Sequence, residues 1–171
     1  MSPSNAQPTA STGLTVLVVD DDATVLTLCQ TILEKAGCSV LQASESSEAL
    51  KICKNHPGTI NMLVTDLVLP PPTFSFASTD NEFPHVHGHE LALRALRMRN
   101  DLRVILMSGN IDNELAGYGI RKGALPFLPK PFDHHALVSL VKDTMQTPPP
   151  TPESLLKESV GGAKGADEWF D

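Results

Sequence analysis

Short apolar runs and stretches of helical period alternate along most of the chain. "LTVLVV" (14–19) is β-branched and apolar throughout, the pattern of a buried strand. In "ATVLTLCQTILEKAG", Val25, Leu28, Cys29, Ile32, Leu33 and Ala36 recur at helical spacing, and Gly37 supplies a stop. "CSVLQA" (38–43) predicts a second strand, and "SESSEALKICKNHPG" a helix capped by Ser44 or Ser46 and broken by Pro57-Gly58. A third strand follows over "TINMLVT" (59–65), then a helix over "GHELALRALRMRN" (88–100) and a fourth strand over "RVILMS" (103–108). Residues 111–122 predict a weak fourth helix, because Gly117 and Gly119 each cost roughly 1 kcal/mol relative to alanine. "ALPFLP" (124–129) is a fifth strand that Pro126 confines to a sheet edge. A fifth helix, "DHHALVSLVKDTM" (133–145), carries Leu137, Leu140, Val141 and Met145 on one stripe.

Five apolar strands alternating with five helices predict a parallel sheet covered on both faces, an α/β doubly wound (βα)5 fold. Such sheets hold their functional crevice outside the carboxyl ends of the strands. Four polar clusters fall there: Asp20, Asp21 and Asp22 after strand one, Asp66 after strand three, Ser108 at the end of strand four, and Lys130 after strand five. Asp66 closes the apolar run of "NMLVTDLVLPPP", where a lone charge is costly unless something pairs with it or uses it.

Gathered in one crevice, these side chains make a coherent set. Clustered carboxylates repel one another and favour a hard cation, and Mg²⁺ needs only a few protein oxygens. Beside the cation Asp66 stays ionised and can act as a nucleophile toward phosphorus. Phosphoryl transfer asks for positioning and for cancellation of oxygen charge, which Mg²⁺, the Lys130 ammonium and the Ser108 hydroxyl would divide among three oxygens. Asp22 reads as the N-cap of the first helix rather than as a further ligand.

Composition narrows the class. At 171 residues the chain suits one ordinary domain, and 41% apolar residues is usual for a soluble one. The net charge of −7, with no basic run, argues against a nucleic-acid partner. "MSPSNAQPTASTG" lacks the marks of a secretory signal, and no apolar run approaches the roughly 20 residues that span a bilayer. A cytoplasmic protein without a membrane partner is expected. Cys29, Cys38 and Cys53 are odd in number and lack CxxC spacing, so they are expected as small core hydrophobes.

In order and at the expected strand ends, "VLVVDDD", "LVTDLVLP", "LMSGN" and "LPKPF" resemble the receiver domain of two-component response regulators, over about residues 13–147. The resemblance implies a flavodoxin-like sheet of order 2-1-3-4-5. It implies Asp20 and Asp21 as the acidic pair for Mg²⁺, Asp66 as phosphoacceptor, and the Val68 backbone carbonyl as a further metal ligand. Ser108 and Lys130 match the hydroxyl and the amine that meet the phosphoryl group. Phe127, three residues before the lysine, matches the aromatic that turns with Ser108 as a switch, and Lys130–Pro131 is commonly cis in the family. The implied partners are a histidine kinase or histidine phosphotransfer protein as donor, and a downstream protein on the face of the fourth helix, fifth strand and fifth helix. Such a domain assists only its own phosphorylation and dephosphorylation and is no enzyme in the usual sense.

Two departures stand out. The short segment usual between the proline after the phosphoacceptor and the glycine of the third helix is stretched here, as an insertion over 71–87. No output domain accompanies the receiver, so a stand-alone receiver or a piece of a larger protein is expected. Residues 1–12 are expected disordered, as is the acidic tail that follows the stiff, Pro-rich linker in 148–171, although Trp169-Phe170 between acids has the character of a docking peptide. His85, His87 and His89 form an H-x-H-x-H run that suits Zn²⁺ or Ni²⁺ only if the chain brings the rings together. His134 and His135 are expected in solvent.

Two other functions compete. "DDDAT" fits the D-x-D-x-T motif of haloacid-dehalogenase-type phosphatases, with Asp20 as nucleophile and Asp22 as acid/base, but that leaves Asp66 unexplained and lacks an acidic pair after the lysine strand. An unphosphorylated docking module is disfavoured by the full set of reactive residues.

Overall fold

The computed structural model describes residues 12–71, 83–109 and 125–155. Five strands, β1 (Thr15–Val19), β2 (Ser39–Ala43), β3 (Met62–Asp66), β4 (Arg103–Ser108) and β5 (Phe127–Pro129), form one sheet of order β2-β1-β3-β4-β5. Every neighbouring pair is parallel. The helices among the described residues are α1 (Ala23–Lys35), α2 (Ser46–Asn55), α3 (Gly88–Met98) and α4 (His134–Met145). The helix expected over 111–122, with its two glycines, lies outside the described residues.

The strands read as continuous apolar runs because both of their faces are buried. Val16, Val18, Met62, Val64, Ile105 and Met107 point to one layer, closed by Leu26, Cys29 and Leu33 of α1 and by Leu137 and Val141 of α4. Leu17, Val19, Leu63, Val104 and Leu106 point to the other, closed by Leu50 and Cys53 of α2 and by Leu91, Ala95 and Leu96 of α3. Each such side chain fully withdrawn from water contributes about 1.5–3 kcal/mol, so these two layers fix the sheet and with it the strand ends. The three cysteines are buried and free, as their core role requires. Leu28 is the exception on α1: it is 42% exposed, and Leu26, two residues earlier and on the other side of the helix, takes the inward place.

Local signals acted largely as expected. The Asp22 carboxylate caps α1 by accepting from the Thr24 N–H, and Asp133 caps α4 by accepting from the Ala136 N–H, each at 2.8 Å. Neither Ser44 nor Ser46 caps α2 with its side chain; the cap residue is Glu45, without a side-chain cap bond. Instead the Glu48 carboxylate accepts from the Ser44 N–H at 2.9 Å, and the Ser46 hydroxyl accepts from the Val86 N–H at 2.9 Å. The C-terminal end of α2 is closed by Arg99, whose guanidinium donates to the carbonyls of Cys53, His56 and Gly58. His134 and His135 are exposed at the start of α4.

Residue 12 and the segment 147–155 carry more structure than expected. Thr12 donates to the Gly37 carbonyl through its N–H and its hydroxyl, which ties residue 12 to the turn before β2. Beyond α4, the Arg103 side chain donates to the Thr147 carbonyl at 2.9 Å, a helical turn forms over 152–155, and Leu155 is buried in the layer under α2 and α3. The stiff linker expected there therefore ends in a hydrophobic anchor. Residues 156–171 and 1–11 lie outside the described residues.

Candidate functional site

Because all strands run the same way, their carboxyl ends share one edge. Val19 pairs with Thr65, Asp66 with Met107 and Ser108 with Pro129, so the residues one step further on line that edge side by side. The structure thus brings Asp20, Asp66, Ser108 and Lys130 together from four different strands. Asp21, exposed at the mouth, joins them: ligand oxygens of Asp20, Asp21 and Asp66 all lie within 4.8 Å of one another. Among the described residues this is the group of three or more potential ligands that gathers so closely; His85, His87 and His89 do not.

Among the described residues Lys130 is the cation of the site. Its Nζ donates to Asp20 Oδ2 at 2.7 Å and to Asp66 Oδ2 at 3.2 Å. The other Asp20 oxygen accepts from the Asp22 N–H at 2.9 Å, and the Asp66 carboxylate accepts from the Val68 N–H. Asp20 is fully buried, whereas the Asp66 side chain keeps 12% of its surface open. Lys130 follows β5, its own N–H donating to the Ser108 carbonyl at 2.8 Å, and the Lys130–Pro131 peptide is cis. Ser108 is buried at the end of β4, and Phe127, half-buried, packs on the α2–α3 layer opposite Leu106.

The electrostatics follow from burial. Removal from water is the main cause pushing Asp66 up to about 6, and the Asp20 charge adds to it, against the counter-pull of Lys130. Asp20 is raised for the same first reason. Lys130 is raised by its bonds to Asp20 and Asp66, which outweigh its own burial. Among the described residues two buried carboxylates thus share a single ammonium, which leaves the cluster short of positive charge. That deficit, with three carboxylates converging, fits a hard divalent cation held by oxygen ligands.

Sequence reasoning missed how the turn after Asp66 is held. The Leu67 N–H donates to the Met107 carbonyl at 2.8 Å, the Leu67 carbonyl accepts from the Gly88 N–H at 2.9 Å, and the Leu69 N–H donates to His87 Nδ1 at 3.0 Å. Gly88 opens α3 so close to the strand end that a Cβ there would strike the Asp66 carbonyl oxygen. The glycine at this position was visible in the sequence; the histidine's partner was not, since 18 residues separate the two. Of the insertion, 72–82 lie outside the described residues, while Phe83 and Val86 pack against the core.

Known proteins resemble this chain in sequence and in fold. Residues 16–73 match the response regulator receiver domain. The chain is 31% identical over 151 residues to the DNA-binding transcriptional regulator NtrC of Rhizobium meliloti, covering 88% of this chain and 28% of that protein. It is 27% identical over 119 residues to the two-component response regulator ARR10 of Arabidopsis thaliana, covering 70% of this chain and 19% of that one. The chain therefore spans less than a third of the length of these relatives. Among solved structures, the response regulator receiver domain protein from Clostridium thermocellum superposes with a TM-score of 0.61 at 25% identity, over 78% of this chain and 94% of that one. The receiver domain of the hybrid histidine kinase CckA does so with a TM-score of 0.57 at 27% identity, over 77% and 99%. Among the described residues no helix is long and apolar enough to cross a membrane. The flavodoxin-like order of the sheet, the acidic cluster and the matched sequences agree: this chain belongs to the receiver domains of two-component response regulators.

Proposed function

We propose that Asp66 accepts a phosphoryl group from the phosphohistidine of a histidine kinase or histidine phosphotransfer protein, in a reaction that depends on Mg²⁺. The observation that carries this reading is the convergence of Asp20, Asp21 and Asp66 beside Lys130 at one sheet edge. Asp20, Asp21, Asp66 and the Val68 carbonyl would hold the cation, which when bound withdraws charge from the phosphoryl oxygens. An Asp66 carboxylate oxygen attacks phosphorus, the phosphorus–nitrogen bond breaks, and its electron pair leaves with the donor imidazole. The product is an acyl phosphate on Asp66. Lys130 then turns its ammonium from the carboxylates toward the new oxygens, and the Ser108 hydroxyl meets another.

The difference in exposure favours Asp66 over Asp20 as nucleophile. A carboxylate with no open surface and both oxygens bonded, as in Asp20, presents no oxygen to a donor; Asp66 does. Ser108 and Phe127, on neighbouring strands, would carry the change to a docking surface for a downstream protein, with the chain assisting only its own phosphorylation and dephosphorylation.

The test is incubation with Mg²⁺ and a small acyl-phosphate donor, comparing the parent with Asp66→Asn, and hydrogen exchange with and without beryllofluoride. Label is expected on the parent alone, with exchange changes concentrated in 108–130. Hydroxylamine-sensitive label that persists in Asp66→Asn and maps to Asp20 would favour the phosphatase chemistry instead.

A further inference from the structure

The turn 67–69 has its backbone groups assigned almost completely. Leu67 N–H goes to Met107, Leu67 C=O to Gly88, Val68 N–H to the Asp66 carboxylate, and Leu69 N–H to His87 Nδ1. Among the described residues, the carbonyl of Val68 accepts no hydrogen bond. That carbonyl and the Leu69 N–H belong to one peptide unit. The unit is planar and trans, so its N–H and C=O point in opposite directions, and whatever holds the N–H aims the carbonyl. Rotation of this unit about its flanking bonds would re-aim the oxygen; a bond from its N–H to a fixed ring prevents it.

The His87 ring is itself fixed. A peptide N–H only donates, so Nδ1 must be the unprotonated nitrogen and the ring proton lies on Nε2. The His85 ring stands edge-on against it, with centroids 5.1 Å apart and planes at 80°. Both nitrogens of His85 are buried without a hydrogen-bond partner among the described residues, so this ring serves as packing. The backbone beneath is pinned on either side, by Val86 N–H on the buried Ser46 hydroxyl at 2.9 Å and by Gly88 N–H on Leu67 at 2.9 Å.

We infer that His87 is a positioning residue for cation binding: by holding the Leu69 N–H it orients the Val68 carbonyl toward the acidic cluster. The inference rests on the proposed cation site and adds to it a residue on the far side of a long insertion. It also gives the insertion a closed base, so that whatever 72–82 do, the strand-end turn keeps its shape.

Three variants of the full chain test it, with two readouts: Mg²⁺ affinity by calorimetry and amide exchange of Leu69 in metal-free protein. His87→Leu keeps bulk against His85 and removes the acceptor; His87→Asn places Oδ1 where Nδ1 stood and should restore it. His87→Leu is expected to speed Leu69 exchange and weaken Mg²⁺ binding about tenfold, the scale typical of a residue behind a ligand. His87→Asn should stay near the parent in both. Equal Mg²⁺ affinity in His87→Leu and the parent, or an Asn variant as weak as the Leu one, would overturn the inference. Asp66→Asn separates the two claims. Binding abolished by Asp66→Asn but untouched by His87→Leu retains the cation site and removes only the role of His87. A parent that takes up no Mg²⁺ removes both.

Discussion

Lys130 Nζ lies 2.7 Å from Asp20, closer than the 3.2 Å that separate it from Asp66. The lysine expected to meet a phosphoryl oxygen is thus, before any phosphorylation, the counter-charge of a fully buried carboxylate. Its side chain is only 22% exposed, so solvent screens the pair weakly.

Replacing that lysine should therefore act on stability as well as on chemistry. Breaking a buried pair by removing one partner costs about 3–5 kcal/mol, and the partial exposure of Lys130 lowers this to about 2 kcal/mol. Lys130→Met should lose that much in urea denaturation without metal near neutral pH. Saturating Mg²⁺ should return more stability to the variant than it adds to the parent. Identical metal-free stability in the two proteins would mean the ammonium does not offset the carboxylates.

Protonation of Asp66 gives a pH signature. Its carboxyl holds a proton up to about 6 when folded, for reasons of burial and of the Asp20 charge, against 3.8 in the unfolded chain. The folded state therefore binds the proton more tightly, and acid favours folding at this site. The contribution is fully present below about pH 3.8 and is lost as pH rises through about 6, on the order of 3 kcal/mol in all. Asp20, also raised, works in the same direction, while the raised Lys130 gives a contribution lost only above its ordinary 10.5. Asp66→Asn removes the titration, so it should gain stability relative to the parent as pH rises from 4 to 7.5 without metal. A parent-minus-variant difference that stays flat over that range would contradict the assignment.

The sequence made the fold and four strand-end residues legible for one reason: both are properties of period and order, which a chain displays directly. Continuous apolar runs located β1, β3 and β4, and a parallel sheet places their ends on one edge wherever the loops go. The edge strand was less legible. Within the described part of the expected 124–129 the strand is Phe127–Pro129: β5 pairs on one side only, and Pro126, which has no N–H to donate, contributes just its carbonyl, accepting from the Leu106 N–H at 2.9 Å. Contacts across long sequence separations left no local trace. The bonds of Ser46 to Val86 and of Leu69 to His87 join residues whose own neighbourhoods suggested a helix cap and a metal run. The two serines near α2 show the same limit, since a hydroxyl suited to capping was taken by a backbone N–H 40 residues away.

Gly88→Ala should be destabilising, against the usual gain of about 0.5–1 kcal/mol when glycine in a helix becomes alanine. The added methyl would strike the Asp66 carbonyl oxygen and lie 3.0 Å from Leu67 Cα and 3.1 Å from the Asp66 carbonyl carbon. All three are backbone atoms that cannot rotate aside, so either α3 or the end of β3 must shift. Overpacking of this kind costs about 1–3 kcal/mol. Because the shift falls on the residue that carries the candidate phosphoacceptor, Mg²⁺ affinity should fall together with the denaturation midpoint. A variant as stable as the parent, with unchanged Mg²⁺ binding, would show that the α3 start is free to move.

Leu155 tests whether the segment beyond α4 belongs to the folded unit. Proline at 148–150 and 152 stiffens the chain, and Arg103 anchors it at Thr147 as it leaves α4. A reciprocal pair of bonds then closes the turn at its end: Thr151 N–H to the Ser154 hydroxyl at 3.2 Å, and Ser154 N–H to the Thr151 hydroxyl at 3.0 Å. This turn delivers Leu155, 2% exposed, to the apolar layer under α2 and α3, on the face of the sheet opposite α4. Stiffness lowers the entropy lost on docking, and a buried leucine more than offsets what remains. Leu155→Ala should cost about 2–4 kcal/mol, and truncation after residue 147 at least as much, since it uncovers the same apolar surface. Amides of 154 and 155 should exchange slowly in the parent and quickly in Leu155→Ala. Unchanged denaturation midpoints in both variants would mean that the layer closes without Leu155 and that the folded unit ends with α4.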